Sequence, residues 1–583
     1  MNAYSYFASL DNTNKKKYDA LKALHFDNLP AHQVAEKFGY TIASVYSLSR
    51  DFHIALNNSP FEDPFFKEVN KGRKTSSFAG LDQIIIDLRK KNFSIQDIES
   101  VVNAKGYNVT YGYIFQLLKR EGFSRLARRS DFEKVSVQTP KLKAPIACNL
   151  SFDDEKFYSN STGIFAFLPY IEKYGIHKII EQSDYPFTKP ISKISSILCF
   201  IALKLSNVKR YSNDDMWCMD RGLGLFAGLN VLPKSAWLSS YSSRVTKDMN
   251  VKFLKSLHQI YVKHNLLSDT CNLDFTTIPY WGDDEHLENN WSGKRNKALS
   301  SMLAVLAQDP DSGIMDYGHC DVQHDDESNV VLEYLDFYKS GPGSKALKYL
   351  VFDSKFTNYE NLSKLDDEGI KFLTIRRRGK NIVEQINSND KFITVRVEAS
   401  GNKKRTLKVR NEIITLRGYV EASTKKTKNI RQVVITGHGK IKPALIITND
   451  FELALEQIVR KYARRWLVEK GIAEQVEFFH LNKVSSSMVI KVDFDLTMTI
   501  LAHNLYRLLA LDLDRYSDFS SERIFQKFIT NSGYIKIADK TIEIQLKKKR
   551  DLPQILEMMK IFNETKYSWL DNQIVKFIPA ASS

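Results

Sequence analysis

The sequence predicts a multidomain α/β protein, in which helical units precede a core of alternating strands and helices. The chain has 583 residues, of which 43% are hydrophobic, and this length is ample for several cores and too long for one ordinary domain. Between 268 and 379, short apolar strands alternate with helical patterns, an order typical of α/β sheets. Before residue 132 the apolar spacing is helical. We therefore expect three or four domains of different architecture.

The charge of the chain predicts a polyanionic partner. Lys and Arg number 84 against 68 acidic residues, which gives a net charge of +16, and this balance favours nucleic acid or an anionic membrane. The longest apolar stretch, roughly 194–203, is well short of the ~20 residues that a membrane-spanning helix needs. The N-terminal segment has no basic region followed by an apolar one, as a signal peptide would. We therefore expect no membrane partner and a cytoplasmic location.

The cysteines predict neither a zinc module nor a disulfide framework. They lie far apart, form no CxxC pair and are odd in number. We expect all five to be reduced, buried and structural: Cys148, Cys199, Cys218, Cys271 and Cys320.

Residues 1–60 predict a first helix-turn-helix DNA-binding unit. In LPAHQVAEKFGYTIASVYSLSRDF, Ala35 is small where two helices cross, Gly39 lies at the turn, and Val45 and Leu48 return to the core. Three side chains of the second helix would then face a DNA groove: Tyr46, Ser47 and Arg50.

Residues 78–132 predict a second helix-turn-helix unit. One helix has an apolar face formed by Ile98, Val101 and Val102 and ends at Gly106, and the next presents Ile114 and its apolar neighbours. A plain helical bundle is the alternative. A basic stretch suited to phosphate contacts follows and favours DNA binding: Lys119, Arg120, Arg125, Arg128 and Arg129.

Composition distinguishes three further segments. Residues 133–147 include the polar, proline-containing stretch VSVQTPKLKAP, which predicts a linker. Residues 148–267 are mostly helical and rich in aromatic residues, which predicts a helical connector. We expect residues 513–583 to be a C-terminal region that mediates dimerisation.

The element order from 268 onwards predicts a ribonuclease H-like catalytic core. In residues 268–379 the strands CNLDFTTI, SMLAVLAQD and GIMDYGHCDV precede a helix, a strand, a helix and a strand, the order of such a core with a mixed sheet. Residues 380–450 carry strand-like runs that predict an all-β insertion. One long helix from about 452 to 480 then restores the α/β pattern, so residues 451–512 form the second part of the core.

Three acidic residues lie where this core would bring them together. Asp274 lies within an apolar strand, where burying a carboxylate is costly unless a positive charge compensates it. Asp353 ends the strand KYLVFDS, at the sheet edge where α/β folds place ligand-binding groups, although such an Asp often only caps a helix. Glu469 lies on the long helix, with Glu474 and Glu477 as alternatives.

These donors indicate a metal centre. We expect Asp274, Asp353 and Glu469 to be both the catalytic and the metal-binding residues. Hard carboxylate oxygens, without a nearby Cys or a pair of His, suit Mg²⁺, with Mn²⁺ as a substitute, better than Zn²⁺. Two such ions could activate a water or a DNA 3′-hydroxyl for in-line attack on a phosphodiester and stabilise the leaving oxygen.

The sequence resembles the DDE transposases of bacterial insertion sequences, in the branch related to insertion sequence four. The resemblance covers roughly residues 268 to 510. It rests on Asp274 in LDFTTIPYWG, on Asp353 in LVFDSKF and on the insertion before the last acid. Its most specific part is YARRWLVE, in which Tyr462, Arg465 and Glu469 have the family's spacing of a Tyr, two residues, an Arg, three residues and the catalytic Glu.

The resemblance implies a transposase that binds the terminal inverted repeats of its element, cleaves the ends and joins them to target DNA, by cut-and-paste movement. Tyr462 and Arg465, with Arg464 beside them, would contact the DNA backbone near the cut, since a guanidinium is well suited to phosphate oxygens. The resemblance further implies a homodimer in the synaptic complex and a bacterial, nucleoid-associated location.

Other polar residues of this region have plainer interpretations. Two acidic clusters predict turns or a helix start, where acidic residues are ordinary: Asp283, Asp284, Glu285, Asp325, Asp326 and Glu327. His503 and Asn504 predict a hydrogen-bonded pair in the core. Position 476 is Val where the family often has Lys, so Lys470 or Lys483 would have to supply that phosphate contact.

Two other functions stay open on the sequence alone. One is a domesticated, non-catalytic DNA-binding regulator, for which the two N-terminal units would suffice. The other is a standalone ribonuclease H-like nuclease, which would cleave without strand transfer. A domesticated protein usually loses one acidic residue, whereas all three candidates are present here.

Overall fold

The computed structural model describes most of the chain, in two compact units, Met1–Leu81 and Asp82–Ser583. The described residues are 13–57, 65, 80–90, 93–123, 150–210, 216–280, 287–292, 296–340, 347–377, 379–387, 391–399, 403–437, 443–483, 487–513 and 515–580. The predicted linker 133–147 and Cys148 lie outside them.

The described part of the first unit contains three helices: α1 (Thr13–His25), α2 (Ala31–Phe38) and α3 (Ile42–Leu56). Gly39 ends α2 in a left-handed conformation with φ of 63°. The Thr41 hydroxyl caps α3 by accepting a hydrogen bond from the Ser44 amide at 3.2 Å. Ala35 and Val45 are buried in the core of the unit. The two helices and the turn predicted between 30 and 52 are therefore present.

Three more helices follow: α4 (Leu81–Lys90), α5 (Ile95–Ala104) and α6 (Tyr111–Arg120). The side chain of Asn103 holds the turn between α5 and α6, because it accepts from the Val109 amide at 2.8 Å and donates to the Val109 carbonyl at 3.1 Å. Five of the predicted apolar positions on α5 and α6 are buried, and Val101 is half-buried. The buried ones are Ile98, Val102, Ile114, Leu117 and Leu118.

The segment 150–268 is mostly helical. It begins with the strand β1 (Glu155–Ser159) and continues with α7 (Leu168–Lys173), α8 (Ile176–Gln182), α9 (Lys193–Leu205), α10 (Arg221–Phe226), α11 (Ser235–Ser242) and α12 (Lys247–Lys263). Nearly every side chain of α9 is buried, which explains why its sequence has an apolar run without a polar face.

A ten-stranded mixed sheet forms the centre of the larger unit. Its strands are β2 (Thr270–Pro279), β3 (Asn289–Ser292), β4 (Lys297–Gln308), β5 (Met315–Val322), β6 (Tyr349–Phe352), β7 (Lys371–Ile375), β8 (Ile393–Ala399), β9 (Lys403–Val420), β10 (Thr427–Thr436) and β11 (Ala444–Thr448). The order across the sheet is β3-β4-β2-β6-β7-β11-β10-β9-β8, and β5 pairs with β4. The pairs β2/β6 and β6/β7 are parallel.

The elements predicted between 268 and 379 are present in the predicted order. The antiparallel strands β2, β4 and β5 come first. Helix α13 (Val330–Lys339) then leads to β6, and α14 (Tyr359–Asp367) leads to β7. All four residues of β6 are buried, as expected for a central parallel strand covered on both faces.

The prediction of an all-β segment for 380–450 is wrong at its start. This segment begins with helix α15 (Lys380–Asn387). Ile382 and Ile386 are four residues apart on one helical face and pack against Val434 and Leu445. The strands that follow continue the core sheet, because β11 pairs antiparallel with β7.

Two helices, α16 (Leu455–Ala463) and α17 (Trp466–Glu477), replace the single helix predicted from about 452 to 480. They are separated by a turn at Arg464 and Arg465. The two guanidinium groups pair with carboxylates on different elements, Arg464 with Asp311 and Arg465 with Asp274. The turn therefore places the side chains of these two adjacent arginines beside different carboxylates.

Helix α18 (Val489–Asp512) runs through the main hydrophobic core and is buried along most of its length. Beyond it lie α19 (Ser521–Ile524), β12 (Gly533–Ala538), β13 (Thr541–Leu546), α20 (Leu552–Met559), β14 (Lys566–Tyr567) and β15 (Gln573–Pro579). Their strands form a second sheet in the order β1-β12-β13-β15-β14. Because β1 belongs to this sheet, the connector and the C-terminal region are joined by backbone hydrogen bonds.

The expectation that the cysteines are buried is confirmed at four positions: Cys199, Cys218, Cys271 and Cys320. No helix in the described part of the chain is long and apolar enough to cross a membrane.

Gly471 allows α17 to pack closely against the sheet. A Cβ at this position would lie 2.4 Å from the Met315 Cε atom and 2.7 Å from the Gln308 Nε2 atom. We expect Gly471→Leu to lower the free energy of unfolding by about 1–3 kcal/mol, because overpacking displaces neighbours. Urea denaturation measures this change.

The matched control is Gly112→Leu on α6, where a Cβ meets nothing within 4 Å. This variant should be neutral or stabilising, by up to about 1 kcal/mol, because Gly is a poor helix former. Equal stability of Gly471→Leu and the parent would contradict the close packing of α17.

Candidate functional site

Parallel pairing of β2 with β6 brings two acidic residues to one end of the sheet. In the register of this pair Leu273 lies beside Phe352, so Asp274 and Asp353 follow at neighbouring positions. The Phe275 and Phe356 rings stack with centroids 3.9 Å apart and fix the segments after the two carboxylates against each other.

The polar face of β2 holds the α16–α17 turn in place. Thr270, Asn272 and Asp274 alternate with Cys271 and Leu273, so the three polar side chains share one face of the strand. The Thr270 hydroxyl accepts from the Lys461 Nζ atom at 2.7 Å. The Asn272 amide donates to the Arg464 carbonyl at 3.1 Å. The turn is thereby held over the carboxylate of Asp274.

Arg465 bridges two of the three candidate acids. Its Nη1 atom donates to the Asp274 Oδ2 atom at 2.7 Å, and its Nη2 atom donates to the Glu469 Oε1 atom at 2.5 Å. The side chains of Arg465 and Asp274 are 16% and 15% exposed, whereas that of Glu469 is 52% exposed. Glu469 therefore lies at the open side of the cluster.

The electrostatics of the cluster are those of a carboxylate-rich, partly desolvated site. Burial raises the pKa of Asp274 to about 6, against the lowering effect of Arg465 and with a further rise from the negative charges of Glu469 and Asp353. Burial lowers the pKa of Arg465, but the surrounding carboxylates outweigh it and raise the value overall. Asp274, Asp353 and Glu469 thus interact through space around one guanidinium.

Asp353 also caps a local turn. Its Oδ1 atom accepts from the Ser354 amide at 2.6 Å at the start of a short 3₁₀ turn. Its carbonyl accepts from the Thr374 hydroxyl of β7 at 3.2 Å. The capping role considered for this residue is therefore present, and it fixes the carboxylate at the sheet edge.

The donor chemistry of the cluster fits Mg²⁺ or Mn²⁺, since all three acids offer hard oxygen atoms. In the part of the chain that the structure describes, no three Asp, Glu, His or Cys side chains are grouped closely enough to hold a metal ion. Arg465 instead pairs with both Asp274 and Glu469.

The other residues of the YARRWLVE segment have different surroundings. Tyr462 packs against the cluster of buried side chains from β6, β7 and β9–β11, and the Arg465 guanidinium lies 5.8 Å from its ring centroid. Arg464 turns away and donates to both the Pro310 carbonyl and the Asp311 carboxylate at 2.7 Å. Only Arg465 of the two arginines contacts the acidic cluster.

The alternative acids on α17 do not join the cluster. Glu474 accepts from the Ser521 amide at 3.1 Å and from its hydroxyl at 2.8 Å. Glu477 is exposed near the end of the helix.

Asp325 and Asp326 lie in an exposed 3₁₀ turn. The predicted cluster at 283–285 lies outside the described residues.

His503 and Asn504 are buried and hydrogen-bonded, as predicted, but to the β4–β5 turn and β5 rather than to each other. One ring nitrogen of His503 lies 3.1 Å from the Gly313 carbonyl. The Asn504 side chain exchanges two hydrogen bonds of 2.8 Å with the backbone of Met315. They anchor α18 to the sheet.

The predicted DNA-contacting residues of the helical units are exposed where the structure describes them. Tyr46, Ser47 and Arg50 lie on the outer face of α3, and Arg50 pairs with the exposed Asp51. Lys119 and Arg120 are exposed at the end of α6. The remaining basic residues of that group lie outside the described residues: Arg125, Arg128 and Arg129.

Sequence reasoning missed the residues that hold the α16–α17 turn in place: Thr270, Asn272 and Lys461. A signal was present in TCNLD, where polar residues alternate with apolar ones in a strand that is otherwise apolar. That period of two indicates a polar face directed at a partner.

The capping role of Asp353 can be separated from its charge. We expect Asp353→Ala to lower the free energy of unfolding by about 0.5–2 kcal/mol, the usual cost of removing a capping acceptor. Asp353→Asn keeps an oxygen for the Ser354 amide and should lose less. Thermal or urea unfolding of both variants checks this order, and equal losses would contradict a capping role.

Part of the chain, which includes the acidic cluster, is similar to a known domain. No curated protein matches the sequence. Among solved structures, a cryo-EM structure of the piggyBac transposase synaptic complex with hairpin DNA aligns with 11% identity over 63% of this chain and 82% of that chain, with a TM-score of 0.29. Residues 269–505 match the family model of the transposase DDE domain. They include Asp274, Asp353 and Glu469, and the match supports a DDE transposase.

Proposed function

We propose that this protein is a DNA transposase of a bacterial insertion sequence, in the branch related to insertion sequence four. It would bind the terminal inverted repeats of its element, cleave the ends and join them to target DNA by cut-and-paste movement. The observations that carry the proposal are the β2/β6 register, which sets Asp274 and Asp353 at neighbouring positions, and the pairing of Arg465 with both Asp274 and Glu469, within the region that matches the transposase DDE domain.

The strand order supports a ribonuclease H-like core for this activity. The path β5-β4-β2-β6-β7 has three antiparallel strands followed by two parallel ones with intervening helices, which is the order expected of such a core. The strands β8–β11 form the proposed insertion before the last acid.

Asp274, Asp353 and Glu469 would hold two Mg²⁺ ions, for which Mn²⁺ would substitute. When bound, the ions would activate the attacking hydroxyl and stabilise the leaving oxygen of the phosphodiester. The protein side chains supply position and charge. The pairing of β2 with β6 supports this role because it sets the two aspartates at neighbouring positions, and Arg465 links Asp274 to Glu469 on α17.

Arg465 and Tyr462 would contact the DNA backbone beside the cut. Arg465 carries a fixed charge and a planar fork that matches two phosphate oxygens. The exposed residues of α3 and the end of α6 would read the terminal repeats, and the net charge of +16 would steer the protein to DNA. A homodimer would hold two ends together, in the bacterial nucleoid.

Removing a carboxylate from the cluster should abolish chemistry without abolishing DNA binding. Asp274→Asn, Asp353→Asn and Glu469→Gln are each expected to lower the rates of cleavage and strand transfer at least about a hundredfold, because each removes a ligand of ions worth several kcal/mol in the transition state. The assay uses labelled DNA carrying the element's ends with Mg²⁺ or Mn²⁺.

Glu477→Gln, on the exposed face of the same helix, is the matched control and should retain activity. Variants that cut as well as the parent would refute the catalytic assignment. Cleavage by the parent without strand transfer would indicate a standalone nuclease, and end binding without cleavage would indicate a regulator. Simultaneous loss of end binding would indicate misfolding.

A separate prediction concerns α3, the helix proposed to read the terminal repeats. We expect Tyr46→Ala and Arg50→Ala each to weaken binding of a terminal-repeat duplex by about 1–3 kcal/mol, the usual value of one specific contact. Fluorescence anisotropy at fixed salt measures the affinity. Lys22→Ala, an exposed basic residue on α1, is the control, and an equal effect of all three would contradict specific reading by α3.

A further inference from the structure

We propose that Arg465 couples DNA binding to metal binding. Without DNA, its guanidinium neutralises Asp274 and Glu469 and keeps a divalent cation from the site. A phosphate of the bound DNA draws Arg465 away and frees both carboxylates for the metal. This inference rests on the proposed function and adds a regulatory step to it.

The contacts of Asp274 show why the two cations compete. Its Oδ1 atom accepts from the Phe275 amide at 2.8 Å, and its Oδ2 atom accepts from Arg465 at 2.7 Å. Each oxygen therefore already accepts one hydrogen bond. A divalent ion held by Asp274 and Glu469 would compete with the positive charge of Arg465 for the same two carboxylates, since the Glu469 Oε1 atom also accepts from Arg465.

The guanidinium lacks one of the acceptors that it needs. The Nε atom of Arg465 is buried, and among the described residues it has no hydrogen-bond partner. An unsatisfied buried donor is costly, so an additional anionic acceptor would stabilise this side chain. A DNA phosphate provides two oxygens in the geometry that a guanidinium prefers.

Arg465 and a metal ion would also depend on each other for charge balance. Removing the guanidinium alone would leave the partly buried Asp274 beside two other negative charges, which is strongly unfavourable. A divalent cation that enters as the guanidinium leaves avoids this cost. Exchange is therefore favoured when phosphate and metal are both present, and the coupling must be reciprocal.

The experiment measures Mn²⁺ binding to the full-length protein by the loss of the free-ion electron paramagnetic resonance signal. Arg465→Gln removes the competing charge, so we expect it to bind Mn²⁺ at least about fivefold more tightly than the parent when DNA is absent, within the usual range of coupling. Arg465→Lys keeps the charge but cannot bridge both carboxylates, and should lie between the two.

Arg464→Gln is the matched control, because this neighbouring arginine contacts Asp311 and not the acidic cluster. In the absence of DNA it should bind Mn²⁺ as the parent does. Adding a duplex that the protein itself selects from a random pool should tighten Mn²⁺ binding to the parent and leave the affinity of Arg465→Gln unchanged. Asp274→Asn added to Arg465→Gln should abolish the tight binding.

The outcomes separate this inference from the proposed function. Equal Mn²⁺ affinity of the parent and Arg465→Gln, with and without DNA, would overturn the coupling and leave the metal centre standing. Weaker Mn²⁺ binding by Arg465→Gln would also overturn it, since the arginine would then support the site. Absence of Mn²⁺ binding in every protein, with and without DNA, would overturn both proposals.

Discussion

Parallel pairing of β2 with β6 is the constraint on which the candidate site depends. Leu273 lies beside Phe352 in this pair, so the next residue of each strand, an aspartate in both, emerges at the same sheet edge. A shift of one residue would send one carboxylate to the opposite face, because side chains alternate along a strand. The buried residues of β6 and the apolar half of β2 hold the register, and the core thereby determines the spacing of the acids.

Several carboxylates close together in a partly buried site need a positive charge to neutralise them. The elements around the site supply this charge as Arg465. The α16–α17 turn is held to β2 by Asn272 and Lys461, and Gly471 lets α17 approach the sheet. These contacts place the Arg465 side chain beside the Asp274 carboxylate. The segment that carries Glu469 therefore also carries the cation that neutralises it, four residues earlier and on the same face of the helix.

Local patterns predicted the core elements, because strand alternation and helix spacing are recorded in neighbouring residues, whereas the roles of the three acids remain predictions. The predictions failed where the structure of a segment depends on contacts with residues far away in the sequence. Ile382 and Ile386 form a helix that packs on strands about fifty residues later, and the break between α16 and α17 reflects separate partners for Arg464 and Arg465. Neither the strands that this helix packs on nor the carboxylates that pair with the two arginines can be predicted from the spacing of neighbouring residues. The DNA-binding residues remain predictions.

The identity of the bridging residue matters as much as its charge. A lysine could neutralise one carboxylate as a point charge, but its ammonium group could not span Asp274 and Glu469 with two separate nitrogen atoms as the Arg465 fork does. The same fork fits two phosphate oxygens. One side chain can therefore satisfy either the two carboxylates or two phosphate oxygens, and it cannot satisfy both with the same two nitrogens. In the proposed coupling, that exclusivity is what makes the choice between the two states responsive to DNA.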